Sequence, residues 1–183
     1  NKKDLNKLIS LTGDNYPLMA GSSIRYTKEL NEIKKLKFLK KTVSIHGISR
    51  VSWMRYGHHL FEGIAILWGL DIRYVRCIEI SDVHEIIIIR YNNNLNVTLE
   101  FIKDIALPIY FKCYFSHKEN LQNNYIVQFS DYYNSFRKMM LNFTNMVETG
   151  KIPVKFREVV DISKVILAGD ISKKMNGQKI NPQ

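Results

Sequence analysis

Cysteine is scarce in this chain of 183 residues: only Cys77 and Cys113 occur. Both lie in strand-like apolar runs without metal-ligand spacing, so no zinc cluster or disulfide scaffold is expected. Buried free thiols in a reducing compartment are expected instead. Long hydrophobic runs are also missing. The longest unbroken isoleucine stretch, Ile86 to Ile89, is far too short to cross a bilayer. No basic-plus-apolar secretory leader opens the chain, which makes a cytoplasmic location without a membrane partner the expectation. No low-complexity segment extends beyond a few residues. A third absence concerns chemistry: no G-x-G-x-x-G stretch occurs, so nothing here forms the glycine-rich turn that cradles a dinucleotide pyrophosphate.

Acidic residues are outnumbered, 17 Asp and Glu against 27 Lys and Arg, for a net charge of +10. Charge alone identifies no partner. The densest basic run is Lys34, Lys35, Lys37, Lys40 and Lys41, interleaved with Ile33, Leu36, Phe38 and Leu39. A solvated helix face is the favoured reading, ahead of attraction for an anionic ligand and then nucleic-acid binding, and no nucleic-acid partner is expected. With 45% apolar residues the chain has enough material for a real core.

Periodicity divides the chain into elements. Lys2 to Leu11 reads as a short helix ended by Gly13-Asp14, and Pro17 to Ile24 has strand character. Tyr26 to Lys41 favours a helix, Thr42 to Ser52 a strand, and Gly57 to Gly69 a helix with one broad apolar face closed by Gly69. Five strands follow: Ile72 to Ile80, Val83 to Tyr91, Leu95 to Ile102, Ile109 to Phe115 and Tyr125 to Phe129. Asn92-Asn93-Asn94 has the length of a tight hairpin. Serial strands without intervening helices predict an α+β fold: an open, mostly antiparallel or mixed β-sheet with helices on one face. Partly apolar character on both sides of the Ile109 to Phe115 strand fits an opposite sheet face used in a subunit contact. Tyr132, Phe136, Met139 or Met140, Phe143 and Met146 or Val147 recur at helical spacing, a stripe expected to be packing and not a cofactor box. Gly150 and Pro153 break it, and Arg157 to Met175 forms the last helix.

The densest polar and aromatic cluster is Trp53-Met54-Arg55-Tyr56-Gly57-His58-His59-Leu60-Phe61-Glu62. Its first residues are expected in the loop entering a helix, where unpaired N–H groups favour an oxygen-rich ligand. On that helix His58 and Glu62 are four apart, and His59 and Glu62 three apart. A neutral imidazole beside a carboxylate is held in one tautomer and can accept a substrate hydroxyl proton. Arg55 and Tyr56 could bind hydroxyl or anionic groups of the same ligand. The bland alternative is a pair of half-buried histidines satisfied by their neighbours. No metal site is expected, because His58, His59 and Glu62 lack a fourth ligand. His46, His84 and His117 stand alone and read as structural or exposed.

Three stretches resemble the C-terminal domain of the glucose–fructose oxidoreductase and inositol dehydrogenase (Gfo/Idh/MocA) family: Ser22-Ser23-Ile24-Arg25-Tyr26, the G-x-H-x-x-[DE] signature at Gly57 to Glu62, and Phe136 through Pro153. The resemblance implies a substrate-binding and oligomerisation α/β domain over residues 25–183. Residues 1–24 would be the trailing helix and strand of a truncated Rossmann-type nucleotide-binding domain. It further implies His59 as the catalytic group at a reacting hydroxyl. Arg25, Arg55, Tyr56, His58 and Glu62 would be substrate-binding residues, with Glu62 orienting His59. Arg55 stands where many members carry Asp, a departure that suits an acidic substrate. The Glu-Lys-Pro segment with the family's catalytic lysine is missing.

The functional expectation is therefore the C-terminal portion of a nicotinamide-dependent oxidoreductase of sugar metabolism, acting on a sugar, sugar acid or polyol. NAD or NADP would bind the full-length parent and no cofactor the isolated chain, which is expected to be inactive because hydride transfer needs both partners held in alignment. A homodimer or higher homo-oligomer through the sheet face is expected. The alternative is a non-enzymatic oligomerisation or ligand-binding protein built on the same domain.

Overall fold

The computed structural model describes residues 2–12, 16–37, 39–104, 106, 108–116 and 123–182. Helix α1 (Lys2–Leu11) leads through an irregular segment to a 3-10 turn (Ser23–Tyr26), helix α2 (Lys28–Ile33) and a second 3-10 turn (Leu39–Lys41). Strand β1 (Thr42–Arg50) is followed by helix α3 (Trp53–Trp68). Then come β2 (Ile72–Ser81), β3 (His84–Tyr91), β4 (Asn96–Ile102), β5 (Tyr110–Phe115) and β6 (Asn124–Gln128). Helices α4 (Tyr132–Thr149) and α5 (Phe156–Lys174) complete the described elements.

The fold is α+β, with a mixed, open six-stranded sheet in the order β2-β3-β4-β1-β5-β6. β1 lies parallel to β4, with Ser44 opposite Asn96, and every other pairing is antiparallel. The parallel pair exists because α3 carries the chain back across the sheet after β1, a reversal that a short hairpin cannot make. Burial alternates along the strands: Ile45, Gly47 and Ser49 of β1, Ile87 and Ile89 of β3, and Val97, Leu99 and Phe101 of β4 are buried beneath the helices. The opposite face carries Ile48, Ile86, Ile88, Thr98 and Tyr110, each only half-buried, with Ile126 exposed. His46 and His84 lie there as well, on either side of Glu100: His46 Nε2 is 2.9 Å and His84 Nε2 3.3 Å from its carboxylate oxygens.

Trp53 anchors α3. Its Nε1–H donates to the carbonyl of Ile166 at 2.9 Å, and its ring meets Phe61 and Phe101 edge-on. Gly57 and Gly169 leave room for that ring, because a Cβ at either position would lie 2.3 or 2.1 Å from it. The helix start is capped from far away in sequence. Ser52 makes no side-chain cap, and the buried Glu85 carboxylate of β3 accepts from the Trp53 N–H while pairing with Lys173 at 3.1 Å. A carboxylate at a helix N-terminus meets both its unpaired N–H groups and its dipole.

Four expectations need correction. Residues 17–22 form no strand and lead directly into the 3-10 turn. The Tyr26–Lys41 helix shrinks to α2 and a separate 3-10 turn, with Leu30 and Ile33 buried and Lys34, Lys35, Lys37, Lys40 and Lys41 exposed. Residues 53–56 are already helical, so the polar cluster opens inside α3 and not in a preceding loop. The apolar stripe of α4 is not core packing among the described residues: Met146 is buried, but Phe136, Met140, Phe143 and Val147 are exposed. An amphipathic pattern records that a face needs a cover without saying which body supplies it. Gly13-Asp14 and His117 lie outside the described residues.

Candidate functional site

Periodicity puts His59 and Glu62 on adjacent turns of α3, where both meet the segment from Gly21 to Arg25. The Ser22 N–H donates to Glu62 Oε2 at 2.6 Å, and the Ser22 hydroxyl lies 2.7 Å from His59 Nδ1. The Ile24 N–H donates to the same hydroxyl oxygen at 3.2 Å, which makes Ser22 the cap of the 3-10 turn. Arg25 Nε donates to Glu62 Oε1 at 2.8 Å, and its Nη2 reaches Glu158 Oε1 on α5 at 2.7 Å. Gly21 is required by geometry: its φ is +122°, and a Cβ there would lie 2.6 Å from Glu62 Oε1.

Five polar groups therefore meet where α3, α5 and the 3-10 turn come together. Glu62 is buried, and desolvation raises its pKa, opposed by the Arg25 charge and the Ser22 N–H. Burial lowers the pKa of His58. Burial, with the neighbouring His58, lowers that of His59 to about 4, so both rings are neutral at neutral pH. Their ring centroids are 3.8 Å apart, and the Tyr56 ring stands edge-on to His59 at 5.3 Å. Arg50 lies over Tyr56 at 5.8 Å, within cation–π range. A small pocket of about 150 Å³ opens between Gly21, His58, Glu62, Val159, Ile162 and Ser163.

The structure thus brings Arg25, His58, His59 and Glu62 together, with Tyr56 beside them. Arg55 is set apart: it is exposed and lines a separate depression with Glu85, Lys103, Asp170 and Lys173. Glu62 makes no hydrogen bond to either imidazole among the described residues, because Arg25 and the Ser22 backbone occupy it. Between Glu62 and His59 stands Ser22, a residue the sequence does not single out, with its N–H on Glu62 and its hydroxyl at His59 Nδ1. A hydroxyl that finds its partner 37 positions away leaves no local pattern to read. Among the described residues no cluster of His, Cys, Asp and Glu could hold a metal ion, and no helix is long and apolar enough to cross a membrane.

Solved Gfo/Idh/MocA-type dehydrogenases share this overall fold. The match to myo-inositol 2-dehydrogenase from Lactobacillus plantarum has a TM-score of 0.75 at 13% identity, covering 99% of this chain and 70% of that one. KijD10, a 3-ketoreductase from Actinomadura kijaniata solved with TDP-benzene and NADP in an open conformation, matches with a TM-score of 0.71 at 9% identity. That match covers 94% of this chain and 66% of the ketoreductase. No family model matches the sequence, and no curated protein matches it.

Proposed function

We propose that this chain is the substrate-side portion of an NAD- or NADP-dependent oxidoreductase acting on a sugar, sugar acid or polyol. In this reading His59 stands at the reacting oxygen and Arg25, Tyr56, His58 and Glu62 shape and bind the rest of the substrate, while Arg55, in its separate depression, takes no part. The observation that carries this reading is the His59 ring itself. It is held at Nδ1 by Ser22, while Nε2 has no hydrogen-bond partner among the described residues. A half-buried imidazole fixed at one nitrogen and open at the other suits contact with a ligand oxygen.

Surface chemistry supports an incomplete body. Leu8, Ile9 and Leu11 of α1 are exposed, as are Phe136, Phe143 and Val147 of α4, and the buried Tyr26 hydroxyl has no partner among the described residues. A nucleotide-binding domain beginning upstream and including residues 1–24 would account for these surfaces, with residues 25–183 forming the substrate and assembly domain. The nicotinamide would then be held by that other domain, and the isolated chain would be inactive. The half-buried isoleucines of the uncovered sheet face support self-association there.

The test is the natural gene product. Its intact mass should exceed that of this chain by an N-terminal nucleotide domain. The purified protein should then reduce NAD or NADP with a member of a sugar, sugar-acid and polyol panel, and His59→Ala should lower turnover far more than nicotinamide affinity. A product that starts near Asn1 and binds no nicotinamide overturns the reading in favour of a ligand-binding or oligomerisation module.

A further inference from the structure

We infer that Ser22 is a positioning residue that fixes His59 in the Nε2–H tautomer, making the site a hydrogen-bond donor to a ligand's carbonyl or alkoxide oxygen. The inference rests on the site reading above and deepens it by naming the ligand chemistry that His59 meets.

The argument is a count of protons and lone pairs. A serine hydroxyl has one proton and two lone pairs. One lone pair of Ser22 is occupied by the Ile24 N–H at 3.2 Å. Ser22 is only 2% exposed, so solvent does not take its proton. Among the described residues the one hydrogen-bonding group that faces this hydroxyl and can accept is His59 Nδ1, at 2.7 Å. If Nδ1 carried the hydrogen, the second lone pair of Ser22 would accept it, and a buried O–H would be left with no acceptor, the costlier arrangement. The proton of Ser22 therefore points to Nδ1, and the ring's own hydrogen sits on Nε2.

The serine is not free to turn away. Its N–H is committed to Glu62 Oε2 at 2.6 Å, and Glu62 is in turn gripped by Arg25 at 2.8 Å. Gly21 gives the backbone the positive φ and the close approach to Glu62 that this grip requires. The carboxylate sets the serine, and the serine sets the imidazole. An Nε2–H group donates to lone pairs, so it polarises a ketone or aldehyde oxygen and steadies an alkoxide. It does not take the proton of a hydroxyl at that nitrogen. This reverses the expectation that neutral His59 accepts a substrate proton, and it assigns deprotonation to a different group of the complete site.

The tautomer can be measured directly. Long-range ¹H–¹⁵N correlation spectra of the uniformly ¹⁵N-labelled chain at pH 7.5, with His59 assigned by difference against His59→Gln, are expected to show a single Nε2–H tautomer. Ser22→Ala is expected to lose that single signature, and Ser22→Thr, which keeps the hydroxyl, to retain it. An Nδ1–H tautomer in the unmodified chain overturns the inference. So does an unchanged tautomer population in a folded Ser22→Ala protein. If Ser22→Ala does not fold, the unmodified chain and Ser22→Thr still decide, since both must give the Nε2–H signature. The readout needs neither cofactor nor turnover. A correct tautomer in a protein whose natural product binds no nicotinamide would uphold the role of Ser22 while rejecting the oxidoreductase reading.

Discussion

Arg25 and Glu62 form a largely desolvated ion pair, with side chains only 15% and 2% exposed and Arg25 Nη2 2.7 Å from Glu62 Oε1. Such a pair is worth little against an apolar replacement, yet breaking one side of it strands a charge. Arg25→Met is therefore expected to destabilise the chain by about 3–5 kcal/mol, and the Arg25→Met/Glu62→Met double variant by clearly less. Urea unfolding of the three proteins checks this, and equal losses in the single and double variants would refute it.

Trp53 occupies a slot framed by two glycines. Gly169→Ala would put a methyl group 2.1 Å from the indole nitrogen, so the ring must move and its hydrogen bond to the Ile166 carbonyl must lengthen. Overpacking of this kind costs about 1–3 kcal/mol. Thermal unfolding should show the loss, with an altered tryptophan fluorescence spectrum that separates it from a general effect.

The pH dependence of stability should carry the mark of His59. Its pKa falls from 6.5 in the unfolded chain to about 4 in the folded one. Between these values the unfolded state binds a proton that the folded state refuses. The contribution is therefore fully present above pH 6.5 and is lost as pH falls through about 4. Denaturant midpoints measured from pH 7 down to pH 4 should decline less steeply in His59→Gln than in the unmodified protein.

The uncovered sheet face gives a prediction about assembly. Ile88 of β3 lies on this face, opposite Thr98 of β4 and Arg76 of β2. Ile88→Glu is expected to abolish self-association in a sedimentation concentration series while leaving far-ultraviolet circular dichroism unchanged. Identical sedimentation of the two proteins at every concentration would reject the assembly role of this face.

The thiols should be inert. Burial pushes Cys77 and Cys113 up to about 12, and both side chains lie in the core. Thiolate is the reactive form, so a disulfide reagent at pH 8 should label neither until the chain is unfolded.

What the sequence revealed depended on how locally each feature is determined. The run of strands from Ile72 to Phe129 was readable because alternation and the Asn92-Asn93-Asn94 turn are short-range properties. α3 starts earlier than its local sequence indicates because its cap, Glu85, comes from another strand. The Tyr26–Lys41 segment reads as one helix because apolar spacing continues past Ile33, where the backbone turns. His59 and Glu62 can be named from residue type and spacing and Arg25 from the family resemblance, whereas Ser22 cannot be named from either. Its importance lies in a hydroxyl oriented by two partners, one of them on a different element.

The parallel union of β1 with β4 has a consequence for how the chain comes together. Ser44 and Asn96 can meet only after α3 and the whole β2–β3 ribbon have been laid down between them. During synthesis β1 must wait with that edge unpaired, and closing so wide a loop is slow. The amides along this seam should gain protection from deuterium later during refolding than those of the β2–β3 and β3–β4 hairpins.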